Sequence, residues 1–312
     1  MLNIRSFVKG VDEPIWVDIA NVVYADEPNW GGVTVGGMIE GEKSPNFQLE
    51  GRFIVELGEK TVGIINAHAD KPREDKKGFI YAFGALPDLE EKDIEEDMVR
   101  FAINNLKHRG MSSVNFWIYE KRISLRRILE KLDFKLVRTH STMEIDLAKK
   151  PLKPRPSHIE IRSLNIKSDR EIEELTWLQN ECFKKEYNYR PRTAKEMRYS
   201  LLKDPYLKRQ ECFFAIEGNQ KVGYIRLGID QQYNKEKNVK AGFIPAFGVL
   251  EHHRRKGVGT KLMLKALETI EEKGMQKAQL GVDDLNPTMA KKFYETIGFR
   301  PISSYLAYEK KL

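Results

Sequence analysis

The sequence predicts an α/β chain of two tandem domains, each a mixed α+β sheet with helices on both faces, and three observations carry that expectation. First, the chain repeats itself. GFIYAFGAL at residues 78–86 returns as GFIPAFGVL at 242–250, with seven of nine positions identical. Ile4-Arg5-Ser6 returns as Ile161-Arg162-Ser163, residues 53–63 as 213–223, Gly110-Met111 as Gly274-Met275, and Leu132-Asp133-Phe134 as Ile297-Gly298-Phe299. Register held over that distance marks a tandem duplication. Second, KKPLKPRP at 149–156 sets three prolines among basic residues, which neither a helix nor a central strand tolerates. The segment reads as a stiff linker, giving domains at 1–150 and 158–312 with 151–157 between them. Third, apolar spacing switches between the periods of strands and helices along both halves.

In the second half, residues 171–184 read as a helix. Residues 212–216 and 221–229 read as strands of a hairpin around Glu217-Gly218-Asn219. Residues 242–250 form a buried strand. Val258, Leu262, Met263, Ala266, Leu267 and Ile270 then recur at helical spacing, with Gly274 where a C-cap belongs. A strand at 278–282, a helix at 288–296 and a closing strand at 304–309 complete the half, and strands separated by helices indicate a sheet covered on both faces. In the first half, Ile94, Met98, Val99, Ala102, Ile103 and Leu106 keep the same helical face. Gly31-Gly32 and Gly36-Gly37 around Val33-Thr34-Val35 read as a mobile loop.

At 312 residues the chain exceeds one ordinary domain, and 41% hydrophobic residues exclude wholesale disorder. No apolar run approaches the roughly 18 residues of a membrane span, and the N-terminus lacks a signal-peptide core. A cytoplasmic chain with no membrane partner is expected. Cys182 and Cys212 could pair but make no disulfide scaffold, and they lack the spacing and histidine partners of a zinc site, so no metal is expected. Charge is uneven: residues 1–150 carry 22 Lys and Arg against 25 Asp and Glu, a balance of −3, and the remainder 31 against 21, a balance of +10. A basic half invites a nucleic-acid reading. Much of the excess sits at Arg254-Arg255-Lys256 and on helix surfaces, and no aromatic–basic pattern for base stacking is visible. A phosphate-bearing small ligand fits that half better.

The most informative segment is Arg254-Arg255-Lys256-Gly257-Val258-Gly259-Thr260, between a buried strand and an amphipathic helix. Glycines let successive N–H groups converge, the helix start adds about half a positive charge, and three basic residues add full ones. That is a pyrophosphate cradle. The equivalent stretch of the first half is acidic at seven of ten positions between Asp88 and Asp97, including Glu90, Glu91, Asp93, Glu95 and Glu96. A pyrophosphate there would meet repulsion. The core face of that helix survives and its ligand face is gone.

Arg254-x-x-Gly257-x-Gly259 after an apolar strand, then Asn286, Phe293-Tyr294-Glu295 and Gly298-Phe299, resembles the GNAT superfamily of N-acetyltransferases, from about residue 159 to the C-terminus. A tandem pair whose first copy has decayed is similar to the arrangement of the mycothiol synthase family. The resemblance implies acetyl-CoA, or another acyl-CoA, as donor and an amine acceptor as partner. It implies that Phe247, Gly248 and Val249 lie on the strand that pairs with the pantetheine arm. Arg254, Arg255, Lys256, Gly257, Val258, Gly259 and Thr260 would hold the pyrophosphate. Asn286 would be a further cofactor contact, although it precedes Tyr294 by eight residues, one more than is common in the family. The duplication supplies within one chain a pairing that single-domain relatives make by dimerising, which leaves monomer and homodimer open.

Acetyl transfer to an amine requires a neutral amine, a stabilised oxyanion and a proton for the leaving thiolate. Tyr294 is the candidate acid, since a phenol of pKa about 10 is protonated at neutral pH; as a helix-face aromatic beside Phe293 it could also be core. The Val249 N–H is the candidate oxyanion donor. The base is harder to name, because residues 242–249 carry no carboxylate or histidine. Asp283 is the candidate, with Asp284 beside it, though both could instead cap a helix. His252, His253 and Asp230 favour surface or turn readings. Tyr187, Asn188, Tyr189 and Arg190 lie between two helices, where the family builds its acceptor pocket, and a packed loop is the alternative. The expected activity is direct attack of a primary amine on acetyl-CoA in the second half. The rivals are a protein or peptide N-acetyltransferase and a non-catalytic acetyl-CoA-binding regulator.

Overall fold

The computed structural model describes residues 1–87, 94–149, 158–207 and 210–312. The expected linker at 151–157 and the acidic residues Asp88, Glu90, Glu91 and Asp93 lie outside them. The first repeat gives β1 (Leu2–Ser6), α1 (Glu13–Val23), α2 (Val35–Gly41), β2 (Arg52–Leu57), β3 (Lys60–Ala69), β4 (Lys77–Ala85), α3 (Ile94–His108), β5 (Ser113–Tyr119), α4 (Ile123–Lys131) and β6 (Lys135–Asp146). The second gives β7 (Glu160–Ser163), α5 (Asp169–Phe183), α6 (Ala194–Leu202), β8 (Glu211–Glu217), β9 (Gln220–Gly228), α7 (Gln231–Glu236), β10 (Ala241–Val249), α8 (Val258–Glu272), β11 (Lys277–Asp283), α9 (Ala290–Ile297) and β12 (Arg300–Lys311).

Two compact units result: residues 1–140 with 303–312, and residues 141–302. The first has strand order β1-β2-β3-β4-β5-β12, and the second β6-β11-β10-β9-β8-β7. The closing strands are exchanged. The strand expected to close the second half pairs instead with β5, from Tyr305↔Tyr119 to Lys311↔Ser113. In the second unit β6 takes that place beside β11, where Glu144 accepts hydrogen bonds from Lys277 at 2.7 Å and Gln279 at 2.8 Å. Because the two strands are copies, each offers its neighbour an equivalent edge.

In the second unit the apolar face of α8 packs under the sheet. Val258, Leu262, Met263, Ala266, Leu267 and Ile270 are all buried with Ile225, Leu280 and Phe299. Each of the larger side chains contributes about 1.5–3 kcal/mol by burial, which outweighs the poor helix propensity of a glycine in the first turn. On the other face α5 sets Leu175, Leu178 and Cys182 against Phe214 and Tyr224. Ser168 caps α5 by accepting from the Glu171 N–H at 3.3 Å, and Thr193 with Glu196 forms a capping box on α6. In the first unit, α3 and α4 cover one face and α1 and α2 the other.

Two readings need correction. The glycines at 36 and 37 belong to helix α2: Thr34 accepts from the Gly37 N–H at 3.0 Å and Met38 is anchored in the core, which together outweigh the glycine penalty. Helix α7 was not foreseen either. It exists because Asp230 caps it, accepting from the Tyr233 N–H at 2.9 Å, while the Tyr233 side chain is buried.

Candidate active site

Strand β10 runs parallel to β11 for only three residues, from Ala241↔Lys277 to Phe243↔Gln279. On its other side it stays antiparallel to β9 as far as Val249↔Gly223, with a bulge between Phe243 and Ala246. Pro245, which has no N–H to give a ladder, stands in that bulge. Beyond Phe243, one edge of β10 therefore has no strand partner among the described residues. The Leu250 N–H donates to Val222 O at 2.9 Å, so alternation turns the N–H groups of Phe247 and Val249 away from β9, into the gap.

The gap leads to residues 250–257. Arg255 (φ 61°) and Gly257 (φ 84°) are both left-handed, a curl that gathers successive N–H groups. Helix α8 starts on Gly257 with no side-chain cap. Its first bond runs from the Lys261 N–H to Gly257 O at 3.1 Å, which leaves the N–H groups of Val258, Gly259 and Thr260 without intrahelical acceptors. The side chains of Arg255 and Lys256 are exposed and make no ion pair among the described residues. Arg254 differs: its Nε donates to Val249 O at 2.8 Å and fixes the end of β10. The two loop glycines serve different ends. Gly257 supplies a left-handed turn, whereas a Cβ on Gly259 would lie 3.1 Å from Phe247 Cζ. At Gly248 a Cβ would lie 2.8 Å from Cys182 Cβ, so α5 also presses close to this strand.

Tyr294 is 7% exposed, with its ring among Phe247, Phe293 and Phe299. Its hydroxyl makes no hydrogen bond among the described residues. Burial pushes the phenol well above its ordinary pKa, and the charge of Glu186 adds to the shift. Asn286 uses its side chain within the protein: Nδ2 donates to Glu186 Oε2 at 2.8 Å, and Oδ1 accepts from the Thr288 N–H at 2.8 Å. Asp283 Oδ1 accepts from the Leu285 N–H at 2.9 Å, and Asp284 pairs with Lys291 at 2.8 Å. Both aspartates thus serve the turn after β11.

Glu186 escaped the sequence reading. It lies 100 residues from Asn286 in a loop without periodicity, so no spacing could have joined them. The loop around it is packed: Tyr189 Oη donates to Asn180 Oδ1 at 2.5 Å, and Arg190 pairs with Glu196 at 2.7 Å. His253 lies 2.5 Å from Glu217, while His252 is exposed. Cys182 and Cys212 are both free and buried. Among the described residues no group of three or more His, Cys, Asp or Glu could hold a metal ion, and no helix is long and apolar enough to cross a membrane.

The first unit repeats the geometry with a different content. Strand β4 leaves β5 after Ile80↔Phe116, and the Leu86 N–H donates to Val62 O at 2.8 Å, as Leu250 does to Val222. The gap there is filled. The Phe83 N–H donates to Tyr24 Oη at 2.6 Å, and Phe83 O accepts from Tyr24 Oη at 3.0 Å and from Arg122 Nη1 at 2.9 Å. Arg122 in turn pairs with Glu95 at 2.7 Å.

Residues 172–299 match the family model described as the acetyltransferase (GNAT) family. Over these residues the chain is similar to the GNAT family. A mycothiol acetyltransferase of Thermomonospora curvata is 26% identical to the chain over 133 residues, 43% of this chain and 44% of that protein. The chain thus spans about half the length of the curated relatives it matches. A tandem GNAT protein from the clavulanic acid biosynthesis pathway shares the fold with a TM-score of 0.76 at 12% identity, over 100% of this chain and 98% of that one. A GCN5-related N-acetyltransferase from Sphaerobacter thermophilus does so with a TM-score of 0.74 at 18% identity, over 99% and 95%. The whole chain accordingly shares the fold of a tandem GNAT protein, and the GNAT family that residues 172–299 match uses acetyl-CoA.

Proposed function

We propose that this chain is an acetyl-CoA-dependent N-acetyltransferase, passing the acetyl group to a primary amine by direct attack in a ternary complex at the second GNAT domain. The observation that carries this reading is the unpartnered edge of β10 leading to the uncapped start of α8. Backbone groups of residues 247–249 suit an extended pantetheine arm, and the N–H groups from Arg255 to Thr260 suit a pyrophosphate. Gly257 has open space where a Cβ would stand, which leaves that side of the loop clear. The N–H of Val249 faces the gap and can stabilise the oxyanion that develops on the thioester carbonyl. Tyr294, kept neutral by burial, gives its proton to the departing thiolate.

A donor-binding regulator without turnover would share the cradle. It would need no proton donor for a leaving thiolate, whereas Tyr294 offers a protonated phenol beside Phe247. A screen of small amines and peptides with acetyl-CoA, reading free thiol, tests the proposal. Acceptor-dependent thiol release is the expected result, and the acceptor that gives it separates a small-amine enzyme from a peptide one. Tight acetyl-CoA binding with no release on any acceptor would favour the regulator.

A further inference from the structure

Glu186 is a half-buried carboxylate whose position packing alone does not explain. One oxygen, Oε2, is held by Asn286 Nδ2 at 2.8 Å. The other, Oε1, has no partner among the described residues. The backbone around it is fixed, since the Glu186 N–H donates to Phe183 O at 2.8 Å and Glu186 O accepts from the Tyr189 N–H at 3.2 Å. Three ionisable groups act on it: Asp283 from the end of β11, Arg254 from the loop, and the Tyr294 phenol from α9. Burial, followed by the charge of Asp283, holds its pKa above the ordinary value against the opposing effects of Asn286 and Arg254. Tyr294 supplies the second observation: this residue is more than nine-tenths buried, its hydroxyl has no hydrogen-bond partner among the described residues, and it feels the charge of Glu186.

One anchored oxygen and one open oxygen, next to a second carboxylate, make a seat for a cation. We propose that Glu186 holds the acceptor's primary ammonium beside the thioester through Oε1 and takes its proton, so that the acceptor is a cationic alkyl amine. This rests on the acetyl-transfer reading above and deepens it. The ammonium gives one proton to Glu186, which frees the nitrogen lone pair to form the C–N bond as the carbonyl π pair moves onto oxygen. That pair returns as the C–S bond breaks, with its electrons leaving on sulfur. Sulfur takes the Tyr294 proton, the second nitrogen proton returns to the Tyr294 phenolate through water, and Glu186 releases its proton to solvent. The absence of any carboxylate or histidine on β10 is consistent with a base supplied from this loop.

The test is calorimetric and needs no known acceptor. Acetyl-CoA and S-(2-aminoethyl)-CoA, which carries an ammonium two carbons from sulfur, are titrated into the full chain and its Glu186→Gln variant. The aminoethyl probe should lose about tenfold in affinity, the size of one charge-assisted hydrogen bond, while acetyl-CoA changes by less than about twofold. In the native chain the aminoethyl affinity should also fall as pH drops through the raised Glu186 pKa, because protonation removes the charge that holds the cation. The Gln variant should lack that limb, and Glu186→Asp should restore part of the cation preference. An unchanged aminoethyl affinity, or an equal loss for both probes, would overturn the role of Glu186 while leaving the donor site standing. A native chain that binds neither probe would sink the donor-site reading, and this proposal with it.

Discussion

Phe83 and Phe247 stand at the same step of the repeat, and their backbones face the same kind of gap. At Phe247 the gap is open: among the described residues no side chain bonds the Phe247 N–H or C=O, and Arg254 reaches the strand edge only at its end, on Val249 O. At Phe83 it is stopped by Tyr24 and Arg122, which take up the N–H and C=O that a ligand would need. The helix starts differ in the same sense. Helix α8 begins beside Arg254, Arg255 and Lys256, whereas α3 carries Glu95, Glu96 and Asp97 in its first turn. Carboxylates there satisfy the positive end of the helix dipole from within the chain, and no external anion is called for. The lesson is that a copied fold loses a ligand by filling the site with its own polar groups. Every strand and core helix of the first copy remains.

That contrast can be broken at several points, and the largest effect is expected at Gly259. Its counterpart 164 residues earlier is Glu95, so Gly259→Glu makes the second copy imitate the first. Like-charge juxtaposition costs several kcal/mol, so acetyl-CoA affinity should fall at least about 10²-fold by calorimetry while circular dichroism keeps the native signal. Unchanged affinity would mean that the loop has been misread.

Tyr294→Phe comes next. It should lower kcat by about 10²–10⁴-fold, the usual range for a lost general acid, and leave KM for acetyl-CoA roughly as it was. Full turnover in steady-state assays on the true acceptor would reduce the phenol to a packing residue. The first copy provides the control, because Leu129 stands at the matching position and is fully buried. Leu129→Ala should cost about 2–5 kcal/mol in urea unfolding and leave the turnover of folded protein alone.

The smallest effect is expected at Tyr24→Phe. It leaves the Phe83 N–H without its partner, at about 1–3 kcal/mol in the same unfolding assay. It should not open a second donor site, because Arg122 still bonds Phe83 O. A second equivalent of acetyl-CoA bound by this variant would show the tyrosine to be the whole plug.

What the sequence made legible was local. The repeat, the apolar face of α8, the glycine loop and the place of Tyr294 on α9 all follow from spacing within a few turns of chain. What escaped it was made by distance. Glu186 meets Asn286 across 100 residues, and Tyr24 meets Phe83 across 59, with no periodicity to announce either contact. The acidic run between Asp88 and Asp97 pointed to an empty first copy, yet the groups that stop the gap beside β4, Tyr24 and Arg122, lie far from that run in sequence, and only Arg122 meets it, at Glu95. The exchange of β6 and β12 was invisible for another reason. Copies of one strand carry the same pattern, so nothing in either says which edge it will close.

The central claim is that one gap is open and the other is stopped from within. Calorimetric titration of the full chain with acetyl-CoA tests it most directly. A single site per chain, lost in Gly259→Glu and kept in Leu129→Ala, is the predicted result. Two equivalent sites, or one that survives Gly259→Glu, would contradict the account.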